Sequence, residues 1–440
     1  MSDQISAPVL PLSRSELKKE TDAKASKLRA HCGTVRERLV KLFAQHGFSD
    51  GLKTVEGLRK ELIDGVIFSP RDITPEKLRE CASKFAESAP ISERLFDPQY
   101  YATLSAFDPL SRTGYLQEEY ACYFAPRRYE QLLRESELIE DVSKVLECEA
   151  ALPLTALIGP NIIIDRSFDS PEAAIAMNFV RATGVQGKKI APEKRIYATL
   201  AVSGEVLINA EELLRFLKQL IVLETPPEGF YVLVAAGNAE ARAELFNAEV
   251  IAGWMFLNHV LSVNGFLVIN GFSDLLTPFL GAAGAEAGAT GWWSNLRTFS
   301  LERFSPATGG GRTPTERYLS CALLNRITYY ELDILRRRVR SVLNRLGTDA
   351  LYAWEGSQPP RNKEVLQTWD AIKALNQALV SAKEEESLHR CGKAVETALD
   401  TYALISQQAV SLNSKSGNSH LEDLDGGLRL FKRLAELDFV

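Results

Sequence analysis

The chain has 440 residues and a mass of 48.8 kDa. Its residues are 45% hydrophobic and 25% charged, a composition that is sufficient to form a large core. The net charge of −6 gives no general preference for nucleic acid or an anionic membrane, so such binding would need a local basic patch. The N-terminus lacks the basic and apolar regions of a signal peptide, and no apolar run reaches the roughly 20 residues of a membrane helix. We therefore expect a cytoplasmic protein without membrane contact.

Cysteine and histidine usage argues against a metal site. The six cysteines are scattered along the chain and include no CxxC pair: Cys32, Cys81, Cys122, Cys148, Cys321 and Cys391. A structural zinc site is therefore not expected, and reduced thiols in an intracellular protein are the default. The sequence also lacks HExxH, a P-loop and GxSxG, so no motif names a metal, a cofactor or a nucleophile.

Residues 1–60 are predicted to form a tail followed by a helical segment. Pro8 and Pro11 disfavour helix in the first residues. From Ser15 to about Gln45 the sequence is strongly charged, and an apolar stripe recurs every three to four residues: Leu28, Val35, Leu39 and Leu42. We interpret this pattern as a helix that packs on the main domain.

A strand-and-helix rhythm begins at Gly65 and defines a domain over residues 61–330. Seven short apolar strands are predicted at 65–69, at 94–98, within 154–165, and at 195–201, 230–234, 265–270 and 287–293. An eighth strand is predicted at 317–323, although helix would suit these residues equally well. Helix starts lie between the strands, as at Thr74 and Pro75, where an N-cap residue precedes proline.

This alternation at intervals of about 30 to 40 residues is typical of a TIM-like (β/α)8 barrel, which usually spans roughly 250 residues. The alternative is a doubly wound open sheet, which would usually place a glycine-rich phosphate turn after its first strand. Ser69-Pro70-Arg71-Asp72 does not provide such a turn. The barrel is therefore the favoured fold.

Residues 331–440 are predicted to be helical and to add no strand. Their longest helical pattern carries an apolar stripe that needs a partner surface: Leu366, Trp369, Ile372, Leu375 and Leu379. We expect this region to pack against the barrel as an added layer.

In barrels, functional groups gather on the loops at the carboxyl ends of the strands. Asp97 and Asp165 each lie at the carboxyl end of a predicted strand, and two such carboxylates could form an acid/base pair. The other strand-end candidates are Asp72, Glu205, Asn238, Asn270 and Asn295. Turn and cap chemistry is the competing explanation for all of them.

The loop from Trp292 to Tyr318 is basic and contains three consecutive glycines at 309–311. Arg297, Arg303 and Arg312 are predicted to bind an anion, because barrels often hold phosphate after their last strands and arginine can hold two phosphate oxygens. The competing explanation is a surface loop whose arginines pair with acidic helices.

An insertion at 99–128 is rich in aromatic residues and arginines. Such a composition suits stacking on nucleic acid bases or a protein interface, although burial over the mouth of the barrel is the simpler explanation. The C-terminal helices are a second candidate surface for a protein partner.

Two functional hypotheses follow. The first is a barrel enzyme that acts on a phosphorylated or nucleotide-like substrate, with Asp97 and Asp165 as catalytic carboxylates. The second is a barrel without catalysis that serves as a binding subunit in a larger assembly, including one associated with nucleic acid.

Overall fold

The computed structural model of the chain describes residues 39–237, 242–306, 315–352 and 361–438. Nine strands in these residues form one parallel sheet. They are β1 (Lys41–His46), β2 (Gly65–Phe68), β3 (Glu93–Phe96), β4 (Ala156–Gly159), β5 (Ile163–Ile164), β6 (Arg195–Ser203), β7 (Gly229–Ala235), β8 (Leu267–Asn270) and β9 (Ala287–Thr290). The strands are buried almost throughout, as expected for parallel strands that are covered on both faces.

The order of the strands makes the sheet a barrel. The hydrogen-bonded order is β3-β2-β1-β9-β8-β7-β6-β4, with β5 also beside β6. β4 pairs with residues 195–198 of β6 and β5 with residues 201–202, so β4 and β5 share one of eight positions. The end strands meet where the Thr155 N–H donates to the Arg94 carbonyl at 2.9 Å. The fold is therefore a nearly closed TIM-like (β/α)8 barrel, and the open doubly wound sheet is excluded.

Helices connect the strands and surround them. They are α1 (Leu52–Arg59), α2 (Pro75–Ser88), α3 (Tyr129–Leu132), α4 (Glu135–Ala150), α5 (Pro171–Ile190), α6 (Ala210–Ile221), α7 (Arg242–Leu245), α8 (Ala248–Val263) and α9 (Thr277–Ala282). The predicted start of α2 is confirmed, because the Thr74 hydroxyl accepts a hydrogen bond from the Lys77 N–H at 3.3 Å and Pro75 follows.

The first barrel strand corrects the helix predicted up to Gln45. Residues 15–38 lie outside the described residues, but Lys41–His46 forms β1, between β2 and β9. Leu39 and Leu42 fit a helical stripe, yet Leu42 is fully buried while Leu39 is 66% exposed. Six residues are too few for periodicity to decide, and pairing on both edges overrides local propensity.

The predicted eighth strand at 317–323 is also wrong. Its first part is β10 (Arg317–Ser320), which pairs antiparallel with β11 (Asn325–Thr328) in a separate two-stranded sheet. Leu324 turns the chain between them with a φ of 47°. Because β1 already supplies one barrel position, β9 completes the eight and this apolar segment becomes a hairpin outside the barrel.

The remaining helices lie against the barrel. They are α10 (Tyr329–Arg338), α11 (Arg361–Leu379), α12 (Glu384–Gln407) and α13 (Ser419–Asp438). In α11, Trp369 is fully buried and its indole N–H donates to the Thr290 carbonyl of β9 at 3.4 Å. In α13, Phe431 is buried against His259 of α8. None of the described helices combines the length and apolar character needed to span a membrane.

Candidate functional site

Buried polar side chains converge at the carboxyl ends of the barrel strands. We call them the strand-end cluster, and they are Gln45, Ser69, Asp72, Asp97, Gln99, Tyr101, Tyr231 and Arg303. Gln45 comes from β1 and Tyr231 from β7, whereas the others follow β2, β3 and β9. All are buried except Asp72, whose side chain is 13% exposed. The cluster thus draws on five strands, which is typical of a barrel active site.

Asp97 lies at the centre of this cluster. One carboxylate oxygen accepts hydrogen bonds from the Tyr101 hydroxyl at 2.8 Å and the Tyr231 hydroxyl at 3.4 Å, and the other accepts the Gln99 N–H at 3.0 Å. Burial away from water raises the pKa of Asp97 to about 6, because these bonds and the charge of Arg303 offset only part of the desolvation. A carboxyl group with this pKa can exchange a proton near neutral pH.

Tyr231 reaches Asp97 because a glycine leaves room for it. A Cβ atom at Gly271, directly after β8, would lie 2.6 Å from the Tyr231 hydroxyl oxygen. The same hydroxyl accepts a hydrogen bond from Gln45 Nε2 at 3.1 Å. The hydrogen bonds therefore run from β1 through β7 to the carboxylate after β3.

Arg303 is the cation of the cluster. Its Nη2 donates to Asp72 Oδ2 at 2.7 Å and to Ser69 Oγ at 3.4 Å, and Gln99 links Ser69 back to Asp97. The Nε and Nη1 atoms are buried and have no hydrogen-bond partner among the described residues. A buried guanidinium with unused donors is costly, and an anion would satisfy it.

The backbone at the cluster includes uncommon conformations. Gln99 has a φ of 53°, and after β8 Phe272 and Asp274 have φ values of 53° and 44°. Side chains other than glycine rarely adopt positive φ, and such residues are concentrated at binding and catalytic sites. Gln99 is held there by its contacts with Ser69 and with the Arg71 N–H, to which its side-chain oxygen is bonded at 3.0 Å.

Aromatic side chains cover the cluster on the side of the barrel mouth. Tyr101 lies edge-on to Phe299 and Phe304, with ring centroids 4.9 and 5.9 Å apart, and Phe272 lies 5.6 Å from Phe299. The Ala236 N–H donates to the Phe299 carbonyl at 3.0 Å, which fixes this segment to the end of β7. The mouth of the barrel is therefore roofed by residues 299–304.

A surface cleft reaches the cluster from the side. It has a volume of about 310 Å³ and is lined by Phe48, Ser49, Asp50, Asp72, Ile73, Thr74, Lys77 and Tyr115. Asp72 both lines this cleft and holds Arg303. The ion pair between Asp72 and Arg303 therefore separates solvent in the cleft from the other members of the cluster, which are buried.

The aromatic insertion at 99–128 is mostly buried. Five of its rings are at most 2% exposed: Tyr100, Tyr101, Tyr120, Tyr123 and Phe124. The hydroxyl groups of the four tyrosines have protein partners, such as the Pro98 carbonyl for Tyr123 at 3.0 Å. Phe107 is 48% exposed. Most of the insertion therefore caps the barrel, and few of its rings are available for stacking on a base.

The two predicted catalytic carboxylates differ in burial. Asp97 is fully buried, whereas Asp165 follows the short strand β5 and is exposed. Glu205 is exposed as well, in a turn of 3₁₀ helix after β6. Asp72 does join Asp97 in the cluster. Hydrogen bonds through Ser69 and Gln99 link Asp97 to the carboxylate of Asp72.

Arg297 and Arg303 also lie in different surroundings. Arg297 lies 3.9 Å from Glu364 of α11, and its pKa is lowered to about 10 by burial and by the charge of Arg326. Arg326 in turn forms a two-pronged ion pair with Asp274, at 2.6 and 2.7 Å. These charged side chains hold the hairpin and α11 against the barrel, which is a structural role.

The predicted asparagines and the third arginine give no support to a shared site. Asn270 is buried and its side chain is fully engaged, with Trp254 Nε1 at 2.7 Å and with Asn258. Asn295 is half-buried, and its Oδ1 has no partner among the described residues. Asn238 and Arg312 lie outside the described residues. Asn270 therefore ties β8 to α8 and faces away from the cluster.

Sequence reasoning missed the members of the cluster that lie within strands or turns. Gln45 was hidden because β1 was interpreted as helix, and Tyr231 because it resembled an ordinary strand residue. Ser69 and Gln99 follow strands, so their position was the signal that could have identified them. Among the described residues, no group of three or more His, Cys, Asp or Glu side chains is placed to hold a metal ion.

Comparisons with known proteins add little to this geometry. No protein-family model matches the chain, and no curated protein sequence matches it significantly. Among solved structures, the carboxyl transferase domain of Rhizobium etli pyruvate carboxylase with pyruvate is 13% identical, with a TM-score of 0.34, over 98% of this chain and 68% of that chain. Dihydrodipicolinate synthase from Oceanobacillus iheyensis is 11% identical, with a TM-score of 0.22, over 94% and 99%. At such values neither protein informs the chemistry, and the barrel assignment rests on the strand pairing.

Proposed function

We propose that this barrel is an enzyme for a small phosphorylated molecule, which binds at the strand-end cluster. The observation that carries the proposal is that one cluster holds a buried carboxyl group, Asp97, and a buried arginine with two unused donor atoms, Arg303, whose charge acts on that carboxyl group. Asp97 would transfer a proton to or from the substrate, and Arg303 would hold the phosphate group. A strongly shifted carboxyl pKa beside a specific charge partner favours a functional site.

The size of the cleft favours a small substrate over a whole nucleotide. Ligand pockets usually measure about 300–1,000 Å³, and the cleft beside Asp72, at about 310 Å³, is at the lower end. A phosphate entering there would meet Asp72 first and would have to displace it from Arg303. Arg71, which pairs with the other oxygen of Asp72 at 2.6 Å, could then hold the displaced carboxylate.

A second hypothesis, a barrel that binds a partner without catalysis, is favoured by one observation. The aromatic roof and the ion pair between Asp72 and Arg303 close the cluster on both sides, so it could act only as a stabilising polar core. In that case the polar groups would have structural roles alone, and small anions would not bind.

Titration calorimetry with inorganic phosphate distinguishes the two hypotheses. If Arg303 holds phosphate, Arg303→Ala should weaken binding about tenfold or more, since a charge-assisted hydrogen bond contributes roughly 1.5–3 kcal/mol and about 1.4 kcal/mol is a factor of ten. Arg297→Ala is the matched control, because it removes an arginine of the same segment that lies in the other charge cluster. Equal affinity in the wild type and the Arg303→Ala variant would remove the anion site and leave the non-catalytic barrel.

A further inference from the structure

Two cysteines that are separated in the sequence lie side by side at a surface cleft. Cys122 of the insertion and Cys148 of α4 have their sulfur atoms 3.3 Å apart. Cys122 is exposed and Cys148 is partly exposed, so reagents in solvent can reach the pair. Both are free thiols, and a disulfide bond would need their sulfurs to approach to about 2.05 Å.

The cleft beside these thiols is large enough for a small reagent. Its volume is about 420 Å³, and its lining includes both sulfur-bearing residues together with charged groups of three elements: Arg79 of α2, Glu119 of the insertion, and Lys144 and Glu147 of α4. The charges of both signs suit a zwitterionic molecule better than an apolar one.

We propose that Cys122 and Cys148 form a reversible disulfide by exchange with a low-molecular-weight disulfide bound in this cleft. The Cys122 thiolate attacks one sulfur of the small disulfide, forming a mixed disulfide and releasing one small thiolate. Cys148, after losing its proton to solvent, then attacks the Cys122 sulfur and releases the second small thiolate. The protein pair loses two electrons, and the small disulfide gains them as two thiols.

The surroundings favour Cys122 as the attacking group. The hydrogen bond between the two thiols and the Tyr123 N–H lower the pKa of Cys122, whereas the same hydrogen bond and burial raise the pKa of Cys148. The thiolate is the nucleophile in such exchange, and the more exposed sulfur is also the one that ionises first.

The bond would tie the insertion to α4 beside the proposed site. Two other contacts already link these segments, since Tyr100 and Arg127 both bond to Asp141 of α4. The insertion supplies Tyr101, which donates to Asp97. Oxidation would therefore restrict the insertion, which supplies Tyr101 to the strand-end cluster. The proposal stands independently of any activity at that cluster.

Peptide mass mapping of the full-length protein tests the proposal, with oxidised glutathione as the reagent. The expected result is a peptide pair linked through Cys122 and Cys148, which dithiothreitol separates again. In Cys148→Ser, Cys122 should instead retain one glutathione, because no second thiol can displace it. Cys321→Ser is the matched control and should form the same linked pair as the wild type.

The result for the wild-type protein tests the proposal even if a serine variant fails to fold. Absence of the 122–148 linked peptide after treatment, with both cysteines recovered unmodified, would overturn the proposal. Glutathione retained on both cysteines of the wild type, without the link, would overturn it as well.

Discussion

At the scale of single residues, two opposing effects determine the pKa of Asp97. Burial raises its pKa to about 6, while Tyr101, Tyr231 and Gln99 stabilise the charged form by hydrogen bonds. Its ordinary pKa of 3.8 applies in the unfolded chain. The folded protein therefore binds this proton more tightly than the unfolded chain does, and Asp97 adds stability below pH 3.8 that is lost as the pH rises through about 6.

Asp97→Asn should remove this pH dependence. The rise in the pKa of Asp97 from 3.8 to about 6 corresponds to about 3 kcal/mol of unfolding free energy that the wild type lacks above pH 6. The variant should therefore gain stability relative to the wild type at pH 7.5, and this advantage should shrink towards pH 4. Chemical denaturation at several pH values measures it. Asp165→Asn, at an exposed carboxyl group, is the control, and an advantage of Asp97→Asn that does not vary with pH would contradict the burial argument.

At the scale of elements, local chemistry made some segments predictable and left others hidden. Thr74 and Pro75 fixed the start of α2, because a cap and a proline act within one turn. β1 has only six residues, and its identity depends on partners more than 20 residues away, β2 and β9. The same reason explains the site: Asp97 and Arg303 could be found from their strand-end position, whereas Tyr231 and Gln45 depend on which way each strand faces.

The contact between α11 and α1 offers a test at this scale. Trp369 of α11 is fully buried, and a Cβ atom at Gly57 of α1 would lie 2.7 Å from its ring. Trp369→Ala should therefore cost about 3–5 kcal/mol of unfolding free energy, as for other large buried side chains. Leu404→Ala on α12, where the side chain is 47% exposed, should cost far less. Equal losses in denaturant unfolding would show that α11 is not packed on the barrel as described.

At the scale of the whole molecule, the two ends of the barrel differ. At the amino ends of the strands, Lys41, Glu93, Arg195 and Glu286 pair with one another, which is typical of a stabilising face. At the carboxyl ends, Asp97 and Arg303 are both buried, and two donor atoms of Arg303 have no hydrogen-bond partner among the described residues. The alternation of strands and helices was enough to predict the barrel, but the closure of its mouth by residues 299–304 depends on contacts between distant loops that no local pattern records.

The ionisation of Asp97 with and without a bound anion tests whether Arg303 holds an anion beside this buried carboxyl group. Carbon-13 NMR can follow the carboxyl signal of Asp97 across the pH range, assigned by its absence in Asp97→Asn. Sulfate is the probe, since it resembles phosphate in shape and has no proton to exchange between pH 4 and 8. We expect a pKa near 6 for the free protein and a higher pKa in sulfate, because an anion on Arg303 weakens the charge that stabilises the Asp97 carboxylate. A titration at the ordinary value of 3.8, or one that sulfate leaves unchanged, would contradict this expectation.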